Sequence, residues 1–143
     1  MPASRYRGMT VGDVMAPSPV AVRPGSTLAA ARALMDESDI RHLPVVDGDG
    51  RVLGILSHRD LVRAEGRGEQ KVTVGELMTE NVLVVAAGNR LCEASELMLD
   101  HKIGALPVVD GADVLVGIIT ETDFLRIAHI ACGGDVLVDA KDD

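Results

Sequence analysis

Two tetrapeptides in this chain carry the residue types from which a ligand site is built: Ser57-His58-Arg59-Asp60 and Thr120-Glu121-Thr122-Asp123. Each follows an aliphatic run and precedes an apolar-periodic stretch, so each reads as a helix start. A helix start offers unpaired N–H groups and the positive end of a dipole, which suit a phosphate. A carboxylate accepts in two directions and matches the vicinal hydroxyls of a ribose. The hydroxyl of Ser57 or Thr120 stands beside it. His58, Arg59 and Arg63 make the first turn locally cationic, whereas the second has Glu121 and only Arg126 nearby. The same [Ser/Thr]-x-x-Asp spacing is also that of a capping box, which would stabilise each helix by ~1 kcal/mol and bind nothing. The tetrapeptides alone leave both readings open.

Other chemistry is poorly supported. His42, His58, His101 and His129 lack the spacing of zinc ligands, although His42 or His58 is placed to meet a phosphate. Asp47, Asp49, Asp110 and Asp113 lack the ligand run and terminal Glu of a calcium loop, so they read as hairpin turns. No Gly-x-x-x-x-Gly-Lys-[Ser/Thr] loop or nucleophile elbow occurs. Ser57 and His58 are neighbours in sequence, which is not a triad geometry. Cys92 and Cys132 are unclustered and read as small hydrophobes or loose thiols. The expectation is a protein that is not an enzyme, with no metal and no required cofactor.

The elements that must position the two turns are themselves duplicated. Val11-Gly-Asp-Val-Met15 recurs as Val74-Gly-Glu-Leu-Met78, an offset of 63 (Val11 to Val74). Leu43-Pro-Val-Val-Asp-Gly48 repeats letter for letter as Leu106–Gly111 at that offset, and Gly54, Ile55 and Asp60 match Gly117, Ile118 and Asp123. Within each copy, Val20–Val22 and Val82–Val85 suggest brief strands. Leu28, Ala31, Leu34 and Met35, like Leu91, Ala94, Leu97 and Met98, recur at helical spacing and read as core faces. Pro44 and Pro107 turn the chain into extended segments. Hairpins then close around Asp47–Gly50 and Asp110–Asp113. The order is strand, helix, strand, strand, helix, twice. This divides the chain into an N-terminal extension (1–9), a first unit (10–65), a polar linker (66–72), a second unit (73–130) and an acidic tail (131–143). The tail is expected to fray, with Val136–Val138 as a candidate edge strand. One copy alone is marginally large enough to hold a core, so the two should bury their faces against each other.

Composition narrows the partners. Hydrophobic residues make up 47% of 143 residues but aromatics only 1%, so the core is aliphatic and bases have no stacking platform. A net charge of −8 opposes binding to a nucleic-acid backbone. No apolar run approaches the ~20 residues that span a bilayer, and no signal peptide is evident, so a soluble, cytoplasmic protein is expected.

The duplicated Val-x-x-x-Met opening, Leu-Pro-Val-Val-Asp centre and Gly-aliphatic-aliphatic-[Ser/Thr]-x-x-Asp close resemble a pair of CBS domains, the tandem arrangement called a Bateman module, over about residues 10–130. The resemblance implies an α/β (α+β) fold of two β-α-β-β-α units packed through their sheets with pseudo-two-fold symmetry. It implies a regulatory module that senses an adenosyl nucleotide (AMP, ADP, ATP or S-adenosylmethionine), and a homodimer. The regulated protein target is unknown. By the family pattern, Asp60 and Asp123 hold ribose hydroxyls, and Ser57 and Thr120 bind ribose or phosphate. The pairs Arg41-His42 and Gly104-Ala105 lie near phosphate or adenine, with His58 and Arg59 close by. Val20, Val22, Leu83 and Val85 line the adenine. The two sites are expected to be unequal, with the phosphate-friendly groups in the first copy. No attached catalytic domain is expected, so the output is expected to fall to a partner or to oligomeric state. The rival expectation is a dimerisation or interaction scaffold with vestigial clefts.

Overall fold

Both copies build the same elements from the same local signals. The computed structural model describes residues 6–69 and 71–134. The first copy runs α1 (Val11–Val14), β1 (Ala16–Pro17), α2 (Leu28–Ser38), β2 (His42–Val46), β3 (Val52–Ser57) and α3 (His58–Gly66). The second runs α4 (Val74–Leu77), β4 (Thr79–Glu80), β5 (Val85–Ala86), α5 (Leu91–His101), β6 (Ala105–Val109), β7 (Leu115–Thr120) and α6 (Glu121–Ala131). The helical stripes face inward as their spacing predicts: Leu28, Ala31 and Met35 are buried, as are Leu91, Ala94 and Met98. α2 and α5 both stop on a left-handed residue, Asp39 and Lys102, at matching positions of the repeat.

The hairpins also match. His42 pairs with Ser57 in β2–β3, and Ala105 pairs with Thr120 in β6–β7. The acidic turns are held by their own side chains. Asp47 Oδ1 accepts from the N–H groups of Asp49 and Arg51 at 2.9 and 3.0 Å, and Asp110 Oδ1 from those of Ala112 and Val114 at 2.8 and 3.1 Å. Gly50 and Asp113, again equivalent, both take positive φ, which Asp tolerates better than most side chains.

Two expectations need correction. The strand expected over Val20–Val22 shrinks to a single bridge, Val22 beside Val45. The one expected over Val82–Val85 becomes Val85–Ala86, parallel to Val108–Val109. Positive φ at Ser18 and Asn81 turns the chain just before each segment, leaving little room for ladder pairing. The candidate edge strand at Val136–Val138 lies outside the described residues.

Each copy also opens by packing on the other. β1 pairs antiparallel with β7, and β4 with β3, giving a four-stranded sheet β1-β7-β6-β5 and a three-stranded sheet β2-β3-β4. Val74, Leu77 and Met78 join the core formed by Leu28, Met35, Leu43 and Leu56. Val11, Val14 and Met15 join the core of Leu91, Met98, Leu106 and Ile119. The anchoring hydrogen bonds are reciprocal: Gly12 N–H donates to Ala87 O and Gly75 N–H to Pro24 O, each at 2.8 Å. The two cores are thus each completed by residues from the other copy.

At one end of the pair the hairpin turns meet. Val52 N–H donates to Asp113 O at 3.2 Å, and Leu115 N–H to Gly50 O at 2.9 Å. At the other end the starts of β2 and β6 meet, with His42 Cε1 3.5 Å from where a Cβ on Gly104 would stand. Register therefore brings both Ser57 and Thr120 to that second end, on either side of the seam between units.

Candidate ligand cleft at the paired helix turns

Both turns form reciprocal caps. Ser57 N–H donates to Asp60 Oδ2 at 3.2 Å, and Asp60 N–H donates to Ser57 Oγ at 3.1 Å. Thr120 N–H donates to Asp123 Oδ2 at 2.8 Å, with the Thr120 hydroxyl a further 3.4 Å donor to that oxygen. The carboxylate of each turn takes part in the cap, as the capping-box spacing allows. It does so through one oxygen. Among the described residues, Oδ1 of each Asp is left for another donor.

The helix ends are less bare than the sequence implied. His58 N–H donates to Arg41 O at 2.7 Å, and Glu121 N–H to Gly104 O at 3.0 Å. In α3 the first and third amide donors are therefore engaged, which leaves that of Arg59. A phosphate at this turn would rely on side chains as much as on the helix dipole. The same two bonds place the residue pair before Leu-Pro-Val directly beside each helix start, joining positions 41 and 57–60, and 104 and 120–123.

The other candidate residues divide by burial. Arg41 and Arg59 are exposed; Ser57, His58, Asp60, Thr120, Asp123, His42 and Gly104 are half-buried. Ala105 is buried in β6 and offers no surface of consequence. Of the four aliphatic candidates, Val20 and Leu83 are each 36% exposed, whereas Val22 and Val85 are 5% exposed and belong to the two cores. The bridge of Val22 to Val45 and the pairing of Val85 with Val108 draw those side chains inward. Of the four, only Val20 and Leu83 are exposed. A hollow of about 300 Å³ lies near the second, between Val52, Leu53, Asn81, Val82, Val84 and Val109. None of the four Ser, Thr and Asp turn residues lines it.

Sequence reasoning missed the relation of His42 to the second copy. Burial lowers the His42 imidazole below its ordinary value, although Glu121 and Asp60 pull it up, while Arg41 and Arg59 reinforce the lowering. Burial thus favours its neutral form, and its ring edge approaches Gly104 beside the Glu121 carboxylate. The only sequence signal was Gly104 itself, a residue without a side chain where the first copy has Arg41.

Burial raises the Asp123 carboxyl above its ordinary value, outweighing the Thr120 N–H, Arg126 and the Thr120 hydroxyl, which lower it. A carboxyl raised on folding contributes stability at acid pH that is lost as pH rises through its folded value. At neutral pH the ionised Asp123 is thus a cost to the unliganded fold. Asp123→Asn keeps an oxygen acceptor for the Thr120 N–H and removes the charge. Its melting temperature at neutral pH is expected to equal or exceed the wild-type value, the difference shrinking as pH falls through the carboxylate range. A lower melting temperature at neutral pH would show that the charge serves the helix alone.

The geometry and the duplication meet in comparison with known proteins. A family model for the CBS domain matches residues 11–67 and again residues 74–130. The chain belongs to the CBS-domain family. Its two copies form a tandem CBS pair. The magnesium transporter MgtE of Thermus thermophilus is 36% identical over 138 residues, which is 93% of this chain and 30% of the transporter. The chain spans less than a third of the length of such curated relatives. Among solved structures, a putative acetoin utilization protein (AcuB) from Vibrio cholerae is 42% identical with a TM-score of 0.81, covering 87% of this chain and 95% of that one. CBSX2 in complex with AMP is 35% identical with a TM-score of 0.76, covering 85% and 96%. The CBS domain pair of protein MJ0100, in complex with 5′-methylthioadenosine and S-adenosyl-L-methionine, is 28% identical with a TM-score of 0.79, covering 84% and 95%. The CBS-pair architecture accounts for the Val-x-x-x-Met openings as exchanged elements. Among the described residues no cluster of His, Cys, Asp and Glu could hold a metal ion, and no helix is long and apolar enough to cross a membrane.

Proposed function

We propose that this CBS pair is a regulatory module that binds an adenosyl nucleotide at the paired turns and passes occupancy to a partner protein or to its own assembly state. One observation carries the reading: each of two repeated turns keeps a half-buried carboxylate whose second oxygen is uncommitted among the described residues, in a fold whose relatives include pairs bound to AMP and to S-adenosylmethionine. Asp60 and Asp123 would accept from ribose hydroxyls, with Ser57 and Thr120 completing the rim. Arg41, Arg59 and the Arg59 N–H would meet a phosphate at the first turn. Val20 and Leu83 would cover a face of the adenine. Because each sheet contains a strand from the other copy, a ligand that closes either groove acts on both units. Regulation further requires unequal affinity for two states, since equal affinity shifts nothing.

Thermal denaturation with AMP, ADP, ATP and S-adenosylmethionine tests this directly. A ligand at ~100 Kd should add about 2.7 kcal/mol of stability. No shift with any of them at millimolar concentration would overturn the reading. A ligand-free dimerisation scaffold would then gain ground. It is favoured by Val62 and Leu125, equivalent positions on α3 and α6 that are 46% and 68% exposed. Sedimentation in the same titrations separates the two, since a scaffold dimerises without regard to nucleotide.

A further inference from the structure

The repeat provides an internal control on charge. Position by position, the first turn has Arg41, His58 and Arg59 where the second has Gly104, Glu121 and Thr122. The backbone is the same at both, because His58 N–H donates to Arg41 O just as Glu121 N–H donates to Gly104 O. Only the side chains differ. Glu121 Oε1 lies in the space that a Cβ on Gly104 would need, and the His42 ring edge closes the same gap. A carboxylate thus occupies the second turn where the first copy carries cationic groups. Asp123 adds a second negative charge beside it. The cations near this place are Arg41 and Arg59, across the seam beside Asp60, and Arg126 on α6; His42 between the two turns is held neutral by burial.

Resting on the reading of the turns as adenosyl sites, we propose that Glu121 makes the second cleft select an adenosyl compound whose 5′ substituent is neutral or cationic, such as a thioether or sulfonium, over one that carries a phosphate. A phosphate beside Gly104 meets Glu121 as well as Asp123, with Gly104 and Thr122 where the two guanidinium groups accompany Asp60 in the first cleft. A sulfonium or ammonium there meets a ready counter-charge. The first cleft, with Arg41 and Arg59, takes the phosphorylated ligand.

Isothermal titration of Asp60→Ala, in which the second cleft alone remains, tests the assignment with AMP and S-adenosylmethionine as probes. S-adenosylmethionine should bind about fivefold more tightly than AMP, a modest factor because Glu121 is exposed and solvent-screened. Adding Glu121→Gln should tighten AMP and weaken S-adenosylmethionine, bringing their ratio close to one. High salt should compress the Asp60→Ala ratio in the same direction, because exposed charges are screened within ~10 Å at 0.1 M salt. Circular dichroism should show both variants folded. Equal affinities in Asp60→Ala, or a ratio unmoved by Glu121→Gln, would overturn the role of Glu121 and leave the adenosyl reading intact. If wild-type protein binds neither probe, the adenosyl reading itself fails, and the specificity with it.

Discussion

Gly117→Val is expected to lower the melting temperature by roughly 10 °C, and Gly54→Val by a similar amount. A Cβ on Gly117 would overlap Met15 Sδ and stand 3.1 Å from Ala16 O. On Gly54 it would stand 2.6 Å from Thr79 O and 2.7 Å from Met78 Sδ. A methionine tail can swing aside, but the carbonyls belong to β1 and β4, strands of two residues each. They cannot retreat without breaking their only register with β7 and β3. Overpacking of this kind costs about 1–3 kcal/mol. For a chain of this size, 3 kcal/mol corresponds to roughly 10 °C. The loss would spread further if the strand detaches, because Val11 and Met15, or Val74 and Met78, leave the opposite core with it. Thermal denaturation followed by circular dichroism is the measurement. Gly88→Ala is the control, since a Cβ there meets nothing within 4 Å. An unchanged melting temperature in Gly117→Val would mean that β1 is not seated on β7.

The second large effect concerns ligand. Asp60→Ala combined with Asp123→Ala should erase the stabilisation by adenosyl compounds, a loss of about 2.7 kcal/mol at ~100 Kd. The same substitutions remove two helix caps and cost ~1 kcal/mol each in the unliganded protein. The two losses can be separated. Asp60→Asn with Asp123→Asn keeps an oxygen for each cap but presents a weaker acceptor to the ribose hydroxyls. Melting curves with and without ligand should therefore show a stable protein that no longer responds. If the Ala variants melt lower yet keep their full ligand shift, the two turns are caps only.

Much of this was legible along the chain. The stripes at Leu28–Met35 and Leu91–Met98, the hairpins around Asp47 and Asp110, and the helix starts at Ser57 and Thr120 all depend on residues within a few positions of one another. Periodicity, proline and turn chemistry act at that range, so the residues announce the element. Duplication added certainty, since two independent segments satisfied the same pattern at a fixed offset.

The misreadings share a different cause. Val20 to Val22 look alike as β-branched or small residues, but only the approach of β2 decides that Val22 turns inward and Val20 outward. The half-bare helix end was wrong for the same reason: the acceptors for His58 and Glu121 N–H are the carbonyls of Arg41 and Gly104, 17 positions upstream in each copy (Arg41 to His58, Gly104 to Glu121). Nor does repetition say which copy an opening helix packs against. The cores are built from nearly the same residues, so Val11 fits either by composition alone.

The sequence by itself determined that two like units exist, what elements each contains, and which carboxylates stand at their helix starts. Those properties follow from short-range sterics and hydrogen bonding, and each copy specifies them separately. The tertiary structure decided that the openings exchange, that one oxygen of each carboxylate is spent on its cap, and that both turns flank one seam with His42 and Glu121 across it. Each of those depends on groups brought together by packing between copies, and a repeat presents chemically equivalent surfaces that only three-dimensional closure distinguishes.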